Sequence, residues 1–425
     1  MRQHVSRLSI VAGMLALATA CSDTSTSPVA DPVASTDAAS SLDKAAGTGA
    51  TVAWNQTARD LIVARAVGAP AAQSRILTYL SLAQYNAVVT AEATWFHRGG
   101  RASPSVAVGG ASVVVLKNFF PLDAALIDAQ FAAQLAAIPS DDEKDDHHGG
   151  RGGDGWRGGL DHDRDGHFQE DAAAGEAIGR AVGADVLAYA ATDNFNVLIP
   201  PPAPGGLAEG YWVSSAPLVR GLYGVRPLFL TSADQFRPGP PPAFGSPDYL
   251  TALAEIRTIS DTRTADQIAE AQYWATKGPA FMNEVAAGMI VAHGRREHDA
   301  AHILALANMA GFDAGIGCFD AKFAYWFIRP TMADPLITLA IPLPNHPSYI
   351  SGHSCNTASY ATVLERAFPS EKDLLESYVT RAGLSRMYGG LHYRFDITAG
   401  QQLGRDVANW AMRHDVPWFK PFPLD

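Results

Sequence analysis

Two basic residues in the last quarter of the chain are spaced to serve a common purpose. Lys322 and Arg329 lie seven positions apart, close to two helical turns, which would place both cationic heads on one helix face. Aromatic and apolar residues fill the stretch between them, so we expect this segment to be buried. Unpaired cations are costly in a buried segment, and the pair therefore predicts a nearby anion. The plainer alternative is two solvated cations at a common helical spacing.

The second stretch, Ser351, Gly352 and His353, precedes a helical pattern in which Ala358 and Leu364 share a face. The free backbone N–H groups and positive dipole end of a helix start form an anion site. Gly352 would let the backbone approach closely, and His353 would stand at the anion's edge. By itself, however, Ser-Gly-His is more typical of a capped helix start.

In the third stretch, Arg386 lies six residues before His392, and Asp396 lies four residues after it. A carboxylate one helical turn away can hold one imidazole nitrogen and fix the tautomer. The other nitrogen is then free to bond a metal or attack phosphorus. Arg386 would add a fork of donors. Taken alone, the pattern fits equally well a core histidine held by Asp396.

Together the three stretches resemble the vanadium-dependent haloperoxidase and type 2 phosphatidic acid phosphatase superfamily, in its soluble haloperoxidase-like branch. The family pattern is Lys, six residues, Arg-Pro; then Pro-Ser-Gly-His; then Ser-Arg, five residues, His, three residues, Asp. The residues that match it are Lys322, Arg329, Pro330, Ser351, Gly352, His353, Ser385, Arg386, His392 and Asp396. One departure is Ile350, where the family usually has proline. The resemblance is sharpest over residues 318–413.

The resemblance implies vanadate as the cofactor and a role for each matching residue. In the haloperoxidases, the counterpart of His392 binds vanadium, and that of His353 is the acid-base residue that takes a proton from hydrogen peroxide. The counterpart of Lys322 also polarises the peroxide. The oxyanion oxygens are held by the counterparts of Lys322, Arg329, Ser351, Gly352 and Arg386. Halide is then oxidised to hypohalous acid, which halogenates organic acceptors.

Phosphate suits the same pocket, because the two oxyanions share charge and tetrahedral shape. In the phosphatases, the counterpart of His392 is a nucleophile that forms a phosphohistidine, and that of His353 protonates the leaving group. No segment after the N-terminus looks transmembrane, which favours the haloperoxidase over a lipid phosphatase. A third interpretation is a surface lipoprotein that binds an oxyanion without turnover.

His346 bears on the halide. It lies five positions before Ser351. By the resemblance, this position looks like the one that is Phe in the fungal chloroperoxidase and His in algal bromoperoxidases. Bromide or iodide is therefore favoured over chloride. Alternatively, His346 before Pro347 simply lines a turn.

Composition and periodicity predict the scaffold. The 425 residues are 47% hydrophobic and 18% charged, enough for a large core, and the net charge of -11 argues against a nucleic-acid partner. Helical spacing recurs from about Thr51 to Arg413, and Thr264 with Gln267 forms a capping-box pattern. We expect an all-α protein of two packed helical bundles within residues 51–425. Residues 51–245 would form the N-terminal part, and residues 246–425 would carry the oxyanion site. The sequence does not indicate an oligomeric state.

The N-terminus resembles an export signal. Residues 1–21 carry Arg2 and Arg7 before a short apolar stretch that ends at Cys21. Either Cys21 is lipidated, giving an anchor in the bacterial envelope or periplasm, or the segment is a plain secretory signal. Lipidation would be the only membrane contact. Residues 22–50 are predicted to be a flexible linker.

Two further features leave alternatives open. Asp161, Asp163 and Asp165 copy the start of a calcium loop inside the acidic, glycine-rich segment 140–171, but the closing Glu is missing, so a solvated loop is favoured. Cys318 and Cys355 lie close in sequence to the site motifs. In an oxidising compartment they would be able to pair, and otherwise they are buried free thiols.

Overall fold

Helices form every regular element in the part of the chain that the computed structural model describes, namely residues 49–94, 101–138, 168–196, 209–213 and 219–415. The helices are α1 (Ala50–Ala64), α2 (Pro70–Ala93), α3 (Pro104–Phe119), α4 (Ala124–Ala136), α5 (Phe168–Ala190), α6 (Pro247–Thr262), α7 (Ala265–Ala275), α8 (Pro279–Ala292), α9 (Glu297–Tyr325), α10 (Pro330–Ala333), α11 (Gly352–Ala367), α12 (Lys372–Tyr388) and α13 (Arg394–His414). Single 3-10 turns precede α4 and α12. Extended pairing in the same residues is limited to one isolated bridge between Tyr211 and Phe327. The predicted all-α class is confirmed.

Small residues allow close packing at two helix contacts. A Cβ added to Gly110 on α3 would lie 2.9 Å from the Glu176 carbonyl oxygen on α5, so these helices meet backbone to backbone. A Cβ on Gly400 of α13 would lie 2.7 Å from the Ser351 carbonyl oxygen. Glycine at position 400 therefore lets α13 approach the start of α11, where two of the predicted site stretches meet.

Helix α9 contributes to two buried hydrophobic clusters. Phe312 belongs to the buried cluster built mainly on α2, α3 and α5, whereas Leu304 and Ala310 belong to the cluster built on α8, α11 and α12. The helix is buried around its circumference, and it is the one described helix that is long and apolar enough to cross a membrane by length and composition. The sequence predicts no transmembrane segment after the N-terminus, and 72% of the apolar window of this helix is buried inside the structure.

Asp313, in the middle of α9, holds the connection that precedes α6. Its carboxylate accepts the backbone N–H groups of Leu228, Phe229 and Leu230 at 2.7, 2.7 and 2.9 Å. The group is fully buried, and burial raises its pKa to about 6 against the lowering effect of these three bonds. The connection is therefore fixed to the helix that carries Lys322.

The outcome of the other structural predictions is mixed. The Thr264–Gln267 capping box is present at the start of α7. The predicted loop 140–171 extends too far, because α5 already begins at Phe168. The division into 51–245 and 246–425 stays a prediction. Residues 1–48, with the export signal, Cys21 and most of the linker, lie outside the described residues, as do Asp161, Asp163 and Asp165.

Candidate oxyanion site

Lys322 and Arg329 meet in the site, but not on one helix face as expected. Helix α9 ends at Tyr325, because Trp326 adopts a left-handed conformation with φ of 51°. Arg329 therefore lies beyond the helix, at the start of the single-turn α10, and the predicted two-turn spacing is wrong. Both side chains are nevertheless completely buried. The sharp change of direction after α9 folds Arg329 back towards the loop that Lys322 contacts.

Main-chain carbonyl groups receive most of the hydrogen bonds from these two cations. Lys322 Nζ donates to the oxygens of Pro347 and Ser348 at 3.0 and 2.9 Å. Arg329 donates to the oxygens of His346 and Leu391 at 3.0 to 3.1 Å. Burial is the main cause that lowers the pKa of Lys322, and it also lowers the pKa of Arg329 to about 10. Neither cation has a carboxylate within salt-bridge distance among the described residues, so their charge is only partly compensated.

Ser351 caps helix α11 as predicted. Its hydroxyl accepts the N–H of Ser354 at 3.4 Å, and its own N–H donates to the Asp396 carbonyl oxygen at 3.0 Å. Gly352 is the first residue of α11, and a Cβ added there would meet no atom within 4 Å. The helix start therefore borders open space on the side of Gly352, where an anion has room to approach.

His353 and Arg386, the third cation of the site, both contact main-chain carbonyl groups at the end of α7. His353 Nε2 lies 3.0 Å from the Trp274 carbonyl oxygen, and Arg386 Nη2 donates to the Ala271 carbonyl oxygen at 3.1 Å. Since a carbonyl can only accept, Nε2 of His353 carries its proton and Nδ1 has the free lone pair. Burial, and next the charge of Arg386, lower the pKa of His353 to about 3. The capping box predicts α7 itself, but not its contacts in the site, because main-chain carbonyls give no signal in the residue types.

His392 and Asp396 form the predicted pair. His392 lies just before α13, and its Nδ1 is 2.8 Å from Oδ2 of Asp396, in the first turn of that helix. Arg329 Nη1 donates to His392 Nε2 at 3.0 Å, so Nε2 is the acceptor and Nδ1 carries the proton. Burial, followed by the charges of Arg329 and Lys322, moves the pKa of His392 well below its usual range. The imidazole is therefore neutral, with its Nε2 lone pair facing the cations.

Ser348 and His346 complete the arrangement. The Ser348 hydroxyl, which sequence analysis did not identify, donates to Asp396 Oδ2 at 2.6 Å. His346 Nδ1 lies 3.0 Å from Arg329 Nη2, and its ring meets Phe319 edge to face at 5.3 Å between centroids. His346 thus lines the site rather than only a turn. A serine three positions before a helix cap carried no distinctive signal in the sequence.

The charges of the site do not balance. Lys322, Arg329 and Arg386 are at most 3% exposed, and Asp396 is the one buried carboxylate among the described residues that contacts the cluster. Since His353 and His392 are neutral, three positive charges face one negative charge. No group of three or more His, Cys, Asp or Glu side chains within the described ranges could hold a metal ion. The site therefore suits an oxyanion with one imidazole ligand better than a bare metal cation.

The two cysteines lie behind this site as free, buried thiols. Cys318 is one turn before Lys322 on α9, and its sulfur lies 3.7 Å from the Ile350 carbonyl oxygen. Cys355 is on α11, one turn after Ser351. The structure thus has the free-thiol alternative of the two that the sequence left open.

Comparison with known proteins gives one family-model match and several structural matches. Residues 372–419, which include Arg386, His392 and Asp396, match the family model for the VCPO second helical-bundle domain. A solved bacterial vanadium-dependent iodoperoxidase superposes with a TM-score of 0.68 and 20% identity, covering 88% of this chain and 96% of that one. The apo and holo forms of a bacterial vanadium-dependent chloroperoxidase give TM-scores of 0.59 and 0.58 at 13% identity. They cover 80% and 81% of this chain, and 93% and 92% of those chains. No curated protein matches the sequence.

Proposed function

With its place in the vanadium haloperoxidase and type 2 phosphatidic acid phosphatase superfamily supported by the fold and the family-model match, we propose that this chain is a vanadate-dependent haloperoxidase. It would be a peroxidase that uses hydrogen peroxide to oxidise a halide to hypohalous acid, which then halogenates organic acceptors. The observation that carries the proposal is the buried cluster of Lys322, Arg329 and Arg386 around the neutral His392, with one carboxylate as counter-charge.

The residues present fit vanadate. The Nε2 lone pair of His392 accepts from Arg329 Nη1 in this structure, and it would become the one imidazole ligand that the group needs once that contact is exchanged. Asp396 fixes this tautomer from the opposite side of the ring. The three cations and the start of α11 at Gly352 would hold the oxygens. When bound, vanadate supplies Lewis-acid activation of peroxide without redox cycling of the metal.

His353 is the proposed acid-base residue. Its Nε2 proton is held by the Trp274 carbonyl, so its Nδ1 is the atom that accepts a proton from peroxide. The low pKa keeps the ring in the accepting form at neutral and mildly acidic pH, and the Arg386 charge disfavours a long-lived imidazolium. Lys322, fixed by two carbonyl bonds, provides the charge that polarises peroxide.

We propose bromide or iodide rather than chloride as the halide. His346 supports this preference because it borders the cluster through Arg329 Nη2 and presents an imidazole beside the Phe319 ring. The resemblance adds support, because it places a histidine at this position in bromoperoxidases.

One assay series tests the function. Purified protein is given orthovanadate or none, and peroxide-dependent bromination of a dye and hydrolysis of a phosphomonoester are measured in parallel. Bromination that requires vanadate is expected. Hydrolysis that vanadate inhibits would instead show a phosphatase acting through His392, and the absence of both activities with tight vanadate binding would show a non-catalytic oxyanion binder.

A further inference from the structure

Ser348 connects two parts of the candidate site through its main chain and its side chain. Its carbonyl oxygen accepts from Lys322 Nζ at 2.9 Å, and its hydroxyl donates to Asp396 Oδ2 at 2.6 Å. Its own N–H donates to the Phe327 carbonyl oxygen at 3.0 Å. The residue has no solvent exposure. The hydroxyl oxygen also lies 3.5 Å from His392 Nδ1. Each polar group of Ser348 is therefore engaged inside the protein, and three of the four contacts reach residues proposed to act in the reaction.

His392 relies on the same carboxylate oxygen. Oδ2 of Asp396 accepts from Ser348 Oγ, from His392 Nδ1 at 2.8 Å and from the Tyr393 N–H at 3.3 Å. The other oxygen, Oδ1, is buried and has no hydrogen-bond partner among the described residues. The orientation of the carboxylate is therefore set through Oδ2, and the Ser348 hydroxyl makes the shortest of the three contacts.

We propose that Ser348 is a positioning residue that orients the Asp396 carboxylate and, through it, aims His392 Nε2 at the oxyanion. The identity of that oxyanion rests on the proposed function, but the orienting role does not. Without the hydroxyl, rotation about the Cβ–Cγ bond of Asp396 brings Oδ1 and Oδ2 into competition as acceptors for His392 Nδ1. The ring then samples a wider range of directions, and the Nε2 lone pair loses its fixed aim relative to the cations.

Three variants separate this role from a general packing effect. Ser348→Ala removes the hydroxyl, and Ser348→Thr retains it. Ser359→Ala is the matched control, because Ser359 is equally buried and its hydroxyl has no hydrogen-bond partner among the described residues. Thermal unfolding of each variant without added oxyanion shows that the fold is intact before affinities are compared.

The first readout is the dissociation constant for orthovanadate, measured by calorimetry on the full chain. Loss of a group that orients a metal ligand typically weakens metal affinity by about 10- to 100-fold, and we expect a weakening in that range for Ser348→Ala. Ser348→Thr and Ser359→Ala should bind close to wild type. Equal affinity in wild type and Ser348→Ala overturns the inference while leaving the haloperoxidase proposal intact.

The second readout needs no oxyanion. In protein labelled with ¹⁵N-histidine, the His392 Nδ1 proton that is bonded to Asp396 gives a downfield resonance, assigned by its loss in His392→Ala. The resonance should broaden or move upfield in Ser348→Ala and return in Ser348→Thr. That pattern supports the positioning role even if no halide is oxidised, whereas an unchanged resonance in Ser348→Ala contradicts it.

Discussion

Arg386 tests whether the buried cations are arranged for an anion. Its Nε and Nη2 donate to Ser385 Oγ and the Ala271 carbonyl at 3.0 and 3.1 Å, while Nη1 has no hydrogen-bond partner among the described residues. The residue is 3% exposed, and burial, followed by the charge of Arg329, lowers its pKa to about 10. The guanidinium is therefore a buried positive charge near a second positive charge, and an anion beside it would stabilise it. We therefore choose Arg386→Met, which keeps an apolar stem and removes the charge.

The structure gives one expectation for oxyanion affinity and one for the free energy of unfolding. A hydrogen bond that involves a charged group contributes about 1.5–3 kcal/mol, so loss of one such bond from Nη1 should raise the dissociation constant for phosphate or orthovanadate by about 10- to 150-fold. Without an oxyanion, the same change relieves the repulsion among three buried cations that share one carboxylate. This relief opposes the loss of the hydrogen bonds to Ser385 Oγ and the Ala271 carbonyl, so the free energy of unfolding should stay close to the wild-type value.

Calorimetric titration with each oxyanion and urea unfolding in oxyanion-free buffer measure the two quantities. Arg405→Met is the control, because Arg405 lies on α13 and pairs with Glu376 at 2.7 Å, away from the site cations. Oxyanion affinity should not change in this control. If Arg386→Met binds phosphate and orthovanadate as tightly as wild type, Arg386 does not contribute to an anion site.

Three further predictions concern the site and its support. His392→Ala should abolish both bromination and phosphomonoester hydrolysis while the protein stays folded. Activity equal to that of wild type would contradict the proposed role of His392. The pKa of His353 is about 3 in the folded protein against about 6.5 unfolded, so the unfolded chain binds a proton that the folded chain excludes. The free energy of unfolding should therefore fall as pH falls from 6.5 to 3, by less than about 1.4 kcal/mol per pH unit for this partly exposed group. Urea unfolding at pH 7 and pH 5 should show a smaller drop in His353→Gln than in wild type, and equal drops would contradict the assigned shift. Asp313→Ala should lower the free energy of unfolding by on the order of 3–5 kcal/mol, because three buried N–H donors lose their acceptor. Asp313→Asn should lower it by less. If urea unfolding shows equal losses for the two variants, the hydrogen bonds are not the cause.

Local signals in the sequence predicted the fold class and the residue types of the site. Ser351 caps α11 and Thr264 caps α7 as predicted, because a cap depends on residues within one turn. The contact between His392 and Asp396 was also predicted, although His392 precedes the helix and reaches Asp396 at its first turn. Spacing along the chain was sufficient for these features.

Tertiary features were beyond the sequence. The spacing predicts Arg329 on the helix of Lys322, but Trp326 ends that helix in a left-handed conformation. The residue types do not predict this conformation, because non-glycine residues adopt it rarely. The carbonyls of Ala271 and Trp274 hold Arg386 and His353 from a helix more than 75 residues away in sequence. Any residue type supplies such a carbonyl, so only the folded chain reveals which ones are used.

The site cations bind mainly to peptide oxygens, and this has a consequence for which anion occupies the site. Carbonyl dipoles soften the positive charge without cancelling it, and they do so equally for every tetrahedral anion that enters. If the site binds vanadate as proposed, electrostatics alone gives vanadate no advantage over phosphate, and the coordinate bond at the imidazole would have to supply the selectivity. In surroundings rich in phosphate, the fraction of active molecules would then follow the ratio of the two anions rather than the vanadate concentration by itself.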